Sequence, residues 1–395
     1  MASLRILALL FAGISLLLFS RAHAADSAPP SGVWIATETW SEAQEAKYAE
    51  WIRTEFTEDF FLRGPWGDLK TDCADAVYGA RIVFSYLNSL PFSLDPKNSR
   101  FDHRTPAFDH IKDPVQRVRA FIEGVNNRTW TGSLSRHTYP IEISRAAVVP
   151  GTMWMKPGHV EIVQGVSDSG VVELRGSWLP GAVRQMISIT TLGHAPTSKA
   201  HGFRRWVWPQ NLGQPLESQP GYSTAQFVAS SNEVGKTNFE EALEIRRFDD
   251  EVQKRLAIAR ESTKAKITRR AQDFCKLVQV RWDVVASGYE AASLAGRCLN
   301  DTEYFAYSTP SRDAGLRRLV IELGLLLGND LGKVRSALAK CISQNTNTLG
   351  NENMPPTIEP ANFYKKILTL DFSSDPHEPP SVRFGNGQES SPCRR

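Results

Sequence analysis

Asp72-Cys73-Ala74-Asp75-Ala76-Val77-Tyr78-Gly79-Ala80-Arg81-Ile82-Val83-Phe84-Ser85-Tyr86-Leu87 is the stretch on which the reading turns. Ala76, Val77, Ala80, Val83, Phe84 and Leu87 recur at the three- and four-residue spacing of one helix face. Asp72 is a good N-cap, and Pro91 stops the helix. The spacing therefore predicts a helix with Cys73 at its first position. There the unpaired backbone N–H groups and the helix dipole favour negative charge on the sulfur. The carboxylates of Asp72 and Asp75 oppose it. Cysteine attacks carbonyls as the thiolate, so a histidine has to supply the rest.

Such a histidine follows in Pro157-Gly158-His159-Val160-Glu161-Ile162-Val163. The alternation predicts a strand with His159, Glu161 and Val163 on one face and Val160, Ile162 and Gln164 on the other. No partner stands at zinc-ligand spacing from His159. Other β-branched runs at 139–143, 171–174, 185–191 and 203–208 read as short strands, with Ser167-Asp168-Ser169-Gly170 as a hairpin turn. Ser41-Glu42-Ala43-Gln44 reads as a capping box opening an earlier helix. Helices first and a small antiparallel sheet afterwards make an α+β layout.

Nine of the ten tryptophans precede position 210, which places a boundary there. Residues 31–209 form the mixed domain, and 210–236, rich in Gly, Pro, Gln and Ser, read as a linker. A proline-free apolar stripe from Phe239 to Val278 predicts one long helix or two in series. Leu316 to Leu327 adds another, giving a helical domain at 237–342. The proline-rich stretch 343–395 reads as a largely disordered tail.

Residues 1–24 carry Arg5, an apolar run and Ala22-His23-Ala24, the pattern of a secretory signal peptide. Export to the periplasm or beyond is the expectation, and no later segment is apolar enough to span a bilayer. The formal net charge of +3 includes Arg5 and Arg21, so the chain after cleavage is near neutral and offers no footprint for nucleic acid. Cys275, Cys298, Cys341 and Cys393 can pair in three ways, which leaves Cys73 as the odd thiol.

Between about 70 and 180 the chain resembles the NlpC-like and CHAP-like cysteine hydrolases of the papain superfamily. The matching residues are Asp72-Cys73, Pro150-Gly151-Thr152-Met153, Gly158-His159-Val160-Glu161-Ile162-Val163, Gly165 or Gly170, and Val171-Val172-Glu173. The resemblance implies a papain-like fold, Cys73 as nucleophile, His159 as general base and Glu173 as the residue that orients it. Arg175 and Ser177 compete for that third place. It also implies hydrolysis of amide bonds, with cell-wall peptides as the substrate class and no cofactor or metal. A chain that departs from the family pattern at Ala74-Asp75 also fits a non-catalytic envelope-binding module, with the helical domain docking a partner.

Other residues carry weaker signals. Phe101-Asp102-His103 recurs as Phe108-Asp109-His110, which reads as a coincidence in a polar loop sooner than as metal ligands. His137 reads as a surface residue, and Arg204 to Trp208 as a half-buried strand. There is no Walker loop, dinucleotide fingerprint, HExxH or CxxC.

Overall fold

The computed structural model describes residues 31–94, 101–227, 238–348, 360–385 and 388–393. The expected leader at 1–24 lies outside them. The first helices are α1 (Glu42–Thr54), α2 (Cys73–Leu87), α3 (Pro114–Asn126) and α4 (Thr131–His137). Six strands follow: β1 (Thr138–Pro140), β2 (Met153–Lys156), β3 (His159–Val166), β4 (Val172–Gly176), β5 (Ile187–Ile189) and β6 (Gly202–Trp206). They form one antiparallel sheet in the order β1-β6-β2-β3-β4-β5.

Both faces of this sheet are apolar, and each is covered by helices. Met153, Met155, Val160, Ile162 and Trp206 join a core with α2, α3 and α4, built from Ala76, Val77, Val83, Phe121 and Leu134 among others. Helix α2 is buried at most of its positions, and its small residues allow close approach. A Cβ on Gly79 would stand 3.1 Å from the Phe61 ring. Trp154, Val163, Val172, Leu174 and Phe203 enter a second core.

The C-terminal helices follow: α5 (Asn238–Leu256), α6 (Thr263–Ala295), α7 (Asp301–Tyr307), α8 (Pro310–Leu326), α9 (Leu331–Thr348), α10 (Pro360–Thr369) and α11 (Pro380–Arg383). Ile245, Phe248, Val252 and Leu256 of α5 lie against the sheet. Helices α6, α8, α9 and α10 build a third core around Phe274, Leu319, Leu323, Val334, Phe363 and Ile367. The predicted stripe thus becomes two helices. The β3–β4 hairpin tip sits at the break between them, where Asp168 O accepts from Ile258 N at 2.8 Å and Ala259 N at 2.9 Å.

The structure departs from the sequence reading in two stretches. The described part of 210–236 is knitted to the sheet, because Gln226 bonds Phe203 N, Phe203 O and Ile141 O; 228–236 lies outside the described residues. Within 343–395, the described residues 360–385 pack through Phe363, Tyr364, Ile367 and Phe384. A Cys298–Cys393 disulfide with Cα atoms 5.4 Å apart ties the far end to the start of α7. Apolar residues too sparse to announce an element alone found partners on α6 and α8. No helix among the described residues is long and apolar enough to cross a membrane.

Gly170 is the tightest joint between the layers. Its φ is 76°, and a Cβ there would fall 2.1 Å from Gln253 O of α5. Gly170→Ala is expected to cost about 2 kcal/mol in urea denaturation. Gly165→Ala, with nothing within 4 Å, is the control expected to cost far less.

Candidate active site

Helix α2 starts where the sequence says it should. The Asp72 carboxylate accepts from Ala74 N and Asp75 N, both at 2.9 Å, while Asp75 Oδ2 accepts from Asp72 N at 3.0 Å. This reciprocal capping leaves Cys73 as the first helical residue, with its N–H in none of those bonds. Cys73 is a free thiol with 3% of its surface exposed. Thr131 Oγ1, at the start of α4, stands 3.4 Å from its sulfur. Burial, with the Asp72 charge behind it, pushes the Asp75 carboxyl up to about 7. Near neutral pH the thiol therefore faces less negative charge than two full carboxylates would bring.

The histidine arrives on the β2–β3 hairpin. Its two-residue turn, Pro157-Gly158, has Gly158 at a φ of 69°, and pairs Lys156 with His159 and Trp154 with Glu161. Cross-strand partners share a face, so Lys156, His159 and Glu161 lie on the side of Trp154 and the C-terminal helices. Helix α2 packs on the other side. His159 comes close enough to Cys73, the first residue of α2, for the sulfur to raise its pKa.

Glu161 Oε1 is 3.1 Å from His159 Nε2 and 3.0 Å from Lys156 Nζ. Burial pushes the His159 pKa down, but the Glu161 carboxylate and the Cys73 sulfur outweigh it and raise it to about 9. Burial likewise pushes the Glu161 carboxyl up, and Lys156 and His159 overturn this, bringing it to about 2. An imidazolium held against a sulfur is how thiol nucleophiles are activated.

The structure brings Cys73 and His159 together and leaves Glu173 out. Glu173 is exposed on β4 opposite Gly165, at the far end of β3 from His159. Arg175 is turned to Ser188 Oγ and Phe56 O. Ser177 Oγ bonds Thr71 O at 2.9 Å and so supports the backbone entering α2. The acid on the His159 ring is Glu161, supplied by the histidine's own strand. Its signal was present as i, i+2 alternation, whereas Thr131 had none that sequence reasoning used.

Elsewhere the expectations divide. His137 is buried, 6% exposed, with Nδ1 at 2.7 Å from Tyr78 OH, because α4 turns it inward against α2. Asp102 pairs with Arg104 at 2.6 Å and Asp109 accepts from Gly32 N at 2.7 Å, so the repeated Phe-Asp-His segments hold loops in place. Arg204 is buried in β6 and bonds Thr138 and Ser135. Cys298, His377 and Cys393 converge, but both sulfurs are in the disulfide and His377 bonds Asp375 and Leu299 N. A groove of about 390 Å³ beside α1, lined by Glu42, Glu45, Arg53 and Thr152, lies at the other end of the sheet from Cys73. Comparison of the chain with protein-family models, curated proteins and solved structures gives no match.

Two measurements test this geometry. His159 has a folded pKa of about 9 against 6.5 for the free side chain, so its contribution is complete below 6.5 and lost as pH rises through 9. Glu161, at about 2 against 4.5, contributes fully above 4.5 and loses this as pH falls through 2. The stability difference between wild type and His159→Gln is expected to be greatest between those inner limits. It should shrink by about 2 kcal/mol toward pH 10 in chemical denaturation. Separately, a Cβ on Gly176 would stand 3.0 Å from Glu161 Cγ. Gly176→Ala should displace that carboxylate and lower the His159 pKa, read by histidine NMR titration.

Proposed function

We propose that this chain is an exported cysteine hydrolase of papain type, an amidase or peptidase acting on amide bonds of cell-wall peptides. The observation that carries the reading is His159 bound through Nε2 to Glu161 Oε1 at 3.1 Å and near enough to Cys73 for the sulfur to raise its pKa. The leader-like residues 1–24 and the resemblance around Cys73 and His159 support the envelope as its place and peptides as its substrate.

In this mechanism the Cys73 thiolate attacks the amide carbonyl, and the carbonyl π pair moves onto oxygen. The Cys73 N–H and the Thr131 hydroxyl stand near the sulfur to stabilise that oxyanion. His159, as imidazolium, gives its proton to the amine as the C–N bond breaks. Water, deprotonated by the neutral His159, then attacks the thioester, releasing the acid and restoring the thiolate. Glu161 is the orienting residue in place of Glu173, holding the ring and offsetting its charge.

A second reading, a non-catalytic envelope-binding module, is favoured by the near-complete burial of Cys73. Alkylation separates the two. A thiolate paired with His159 reacts with iodoacetamide at pH 6, and a sealed, neutral thiol does not. With peptidoglycan fragments as substrate, Cys73→Ala should abolish amide cleavage, and Glu161→Gln should lower kcat/KM roughly a hundredfold. An alkylation rate at pH 6 no faster than that of an unfolded cysteine, together with unaltered fragments, would leave the binding module standing.

A further inference from the structure

The segment between β4 and β5 lies over the N-terminus of α2. Thr71 N donates to Ala182 O at 3.0 Å, and a Cβ on Gly181 would stand 3.8 Å from Asp72 N. This segment carries Trp178 and Arg184, whose guanidinium lies 4.6 Å from the Trp178 ring centre. Trp178 is 6% exposed and wedged against Val280 and Val284 of α6, and its indole N–H has no partner among the described residues. Helix α8 adds Arg312, which donates to Leu179 O of the same segment at 3.0 Å and to Ser308 O at 2.7 Å. Through Leu179, Arg312 is tied to the segment whose Ala182 O accepts from Thr71 N, two residues before Cys73.

Among the described residues, neither Arg184 nor Arg312 has a carboxylate within ion-pair distance, though each retains N–H groups beyond those bonded to carbonyls. Burial and the neighbouring Arg184 and Arg281 act against the charge on Arg312, while Asp313 and Cys73 act for it, leaving its pKa at about 10. Half-buried cations short of an anion are costly to hold, and guanidinium forks match a carboxylate's two oxygens.

We propose that Arg312, Arg184 and Trp178 Nε1 form a carboxylate-binding subsite over the start of α2, where Cys73 is the first residue, so that the substrate is an amide with a free carboxylate next to the bond cleaved. This rests on the reading of Cys73 as the nucleophile. It makes the C-terminal helices part of the active site, since one of the two arginines comes from α8.

The test uses the full chain and two reagents that differ only in charge. Iodoacetate and iodoacetamide are compared as alkylators of Cys73 at pH 6, against the same ratio for a small free thiol. The subsite predicts an iodoacetate preference about tenfold above that reference, as one charge-assisted contact would give. Arg312→Met and Arg184→Met should each reduce it severalfold, and Arg312→Lys should keep part of it. Arg184→Met also serves if Arg312→Met, which removes the bonds to Leu179 and Ser308, fails to fold. A ratio equal to the free thiol's, or unmoved in both Met variants, overturns the subsite and leaves the hydrolase reading intact. Inertness to both reagents instead fells the hydrolase reading. The subsite is then decided by calorimetric titration with N-acetylglycine: heat lost in Arg184→Met upholds it, and no heat in wild type overturns it.

Discussion

Successive residues of the β2–β3 hairpin feed different cores. Met153, Met155, Val160 and Ile162 go to one side, and Trp154 and Val163 to the other. A sheet apolar on both faces has to be covered on both, and the chain has enough helix on each side of it in sequence to do so. The N-terminal helices bring Cys73 on one cover, and the C-terminal helices close the face from which His159 and Glu161 project. The candidate site lies at the end of the sheet because only there can groups from both layers touch.

Charge at this seam is arranged in opposed pairs. Glu161, 3% exposed, would be costly unpaired, and Lys156 and His159 both hold its Oε1. Against the effect of burial, the Glu161 carboxylate helps raise the His159 pKa to about 9. Asp72 and Asp75 are kept close by the capping that starts α2, and burial relieves their repulsion by moving the Asp75 carboxyl up to about 7. Arg184 and Arg312 add positive charge near the same helix start, with no carboxylate of the described residues within ion-pair distance.

Away from the site, buried ion pairs hold the second layer in register. Arg270 of α6 joins Asp249 of α5 at 2.7 Å and Glu322 of α8 at 3.0 Å. Asp273 accepts from Thr190 N at 2.9 Å and from its hydroxyl at 2.7 Å, at the end of β5. Such pairs add little net stability over apolar packing, but breaking one leaves a charge stranded, so they penalise any other placement of the helices.

The local elements were legible in the sequence because their causes are local. Asp72 caps the helix that Cys73 begins, Pro157-Gly158 opens a strand, and alternation put His159 and Glu161 on one face; the partner strand β2 came only with the structure. The mixed helix and antiparallel-sheet class followed from those periodicities. Which acid meets the ring was a matter of register: β4 sets Glu173 against Gly165 and presents Gly176 beside Glu161. Burial of His137 and packing of 360–385 likewise depended on neighbours far away in the chain. Sequence by itself determined where helices and strands begin and which side chains share a face, since backbone geometry repeats every few residues. Only the tertiary structure decided which faces meet, because that depends on long-range packing and on charges that must find partners once water is excluded.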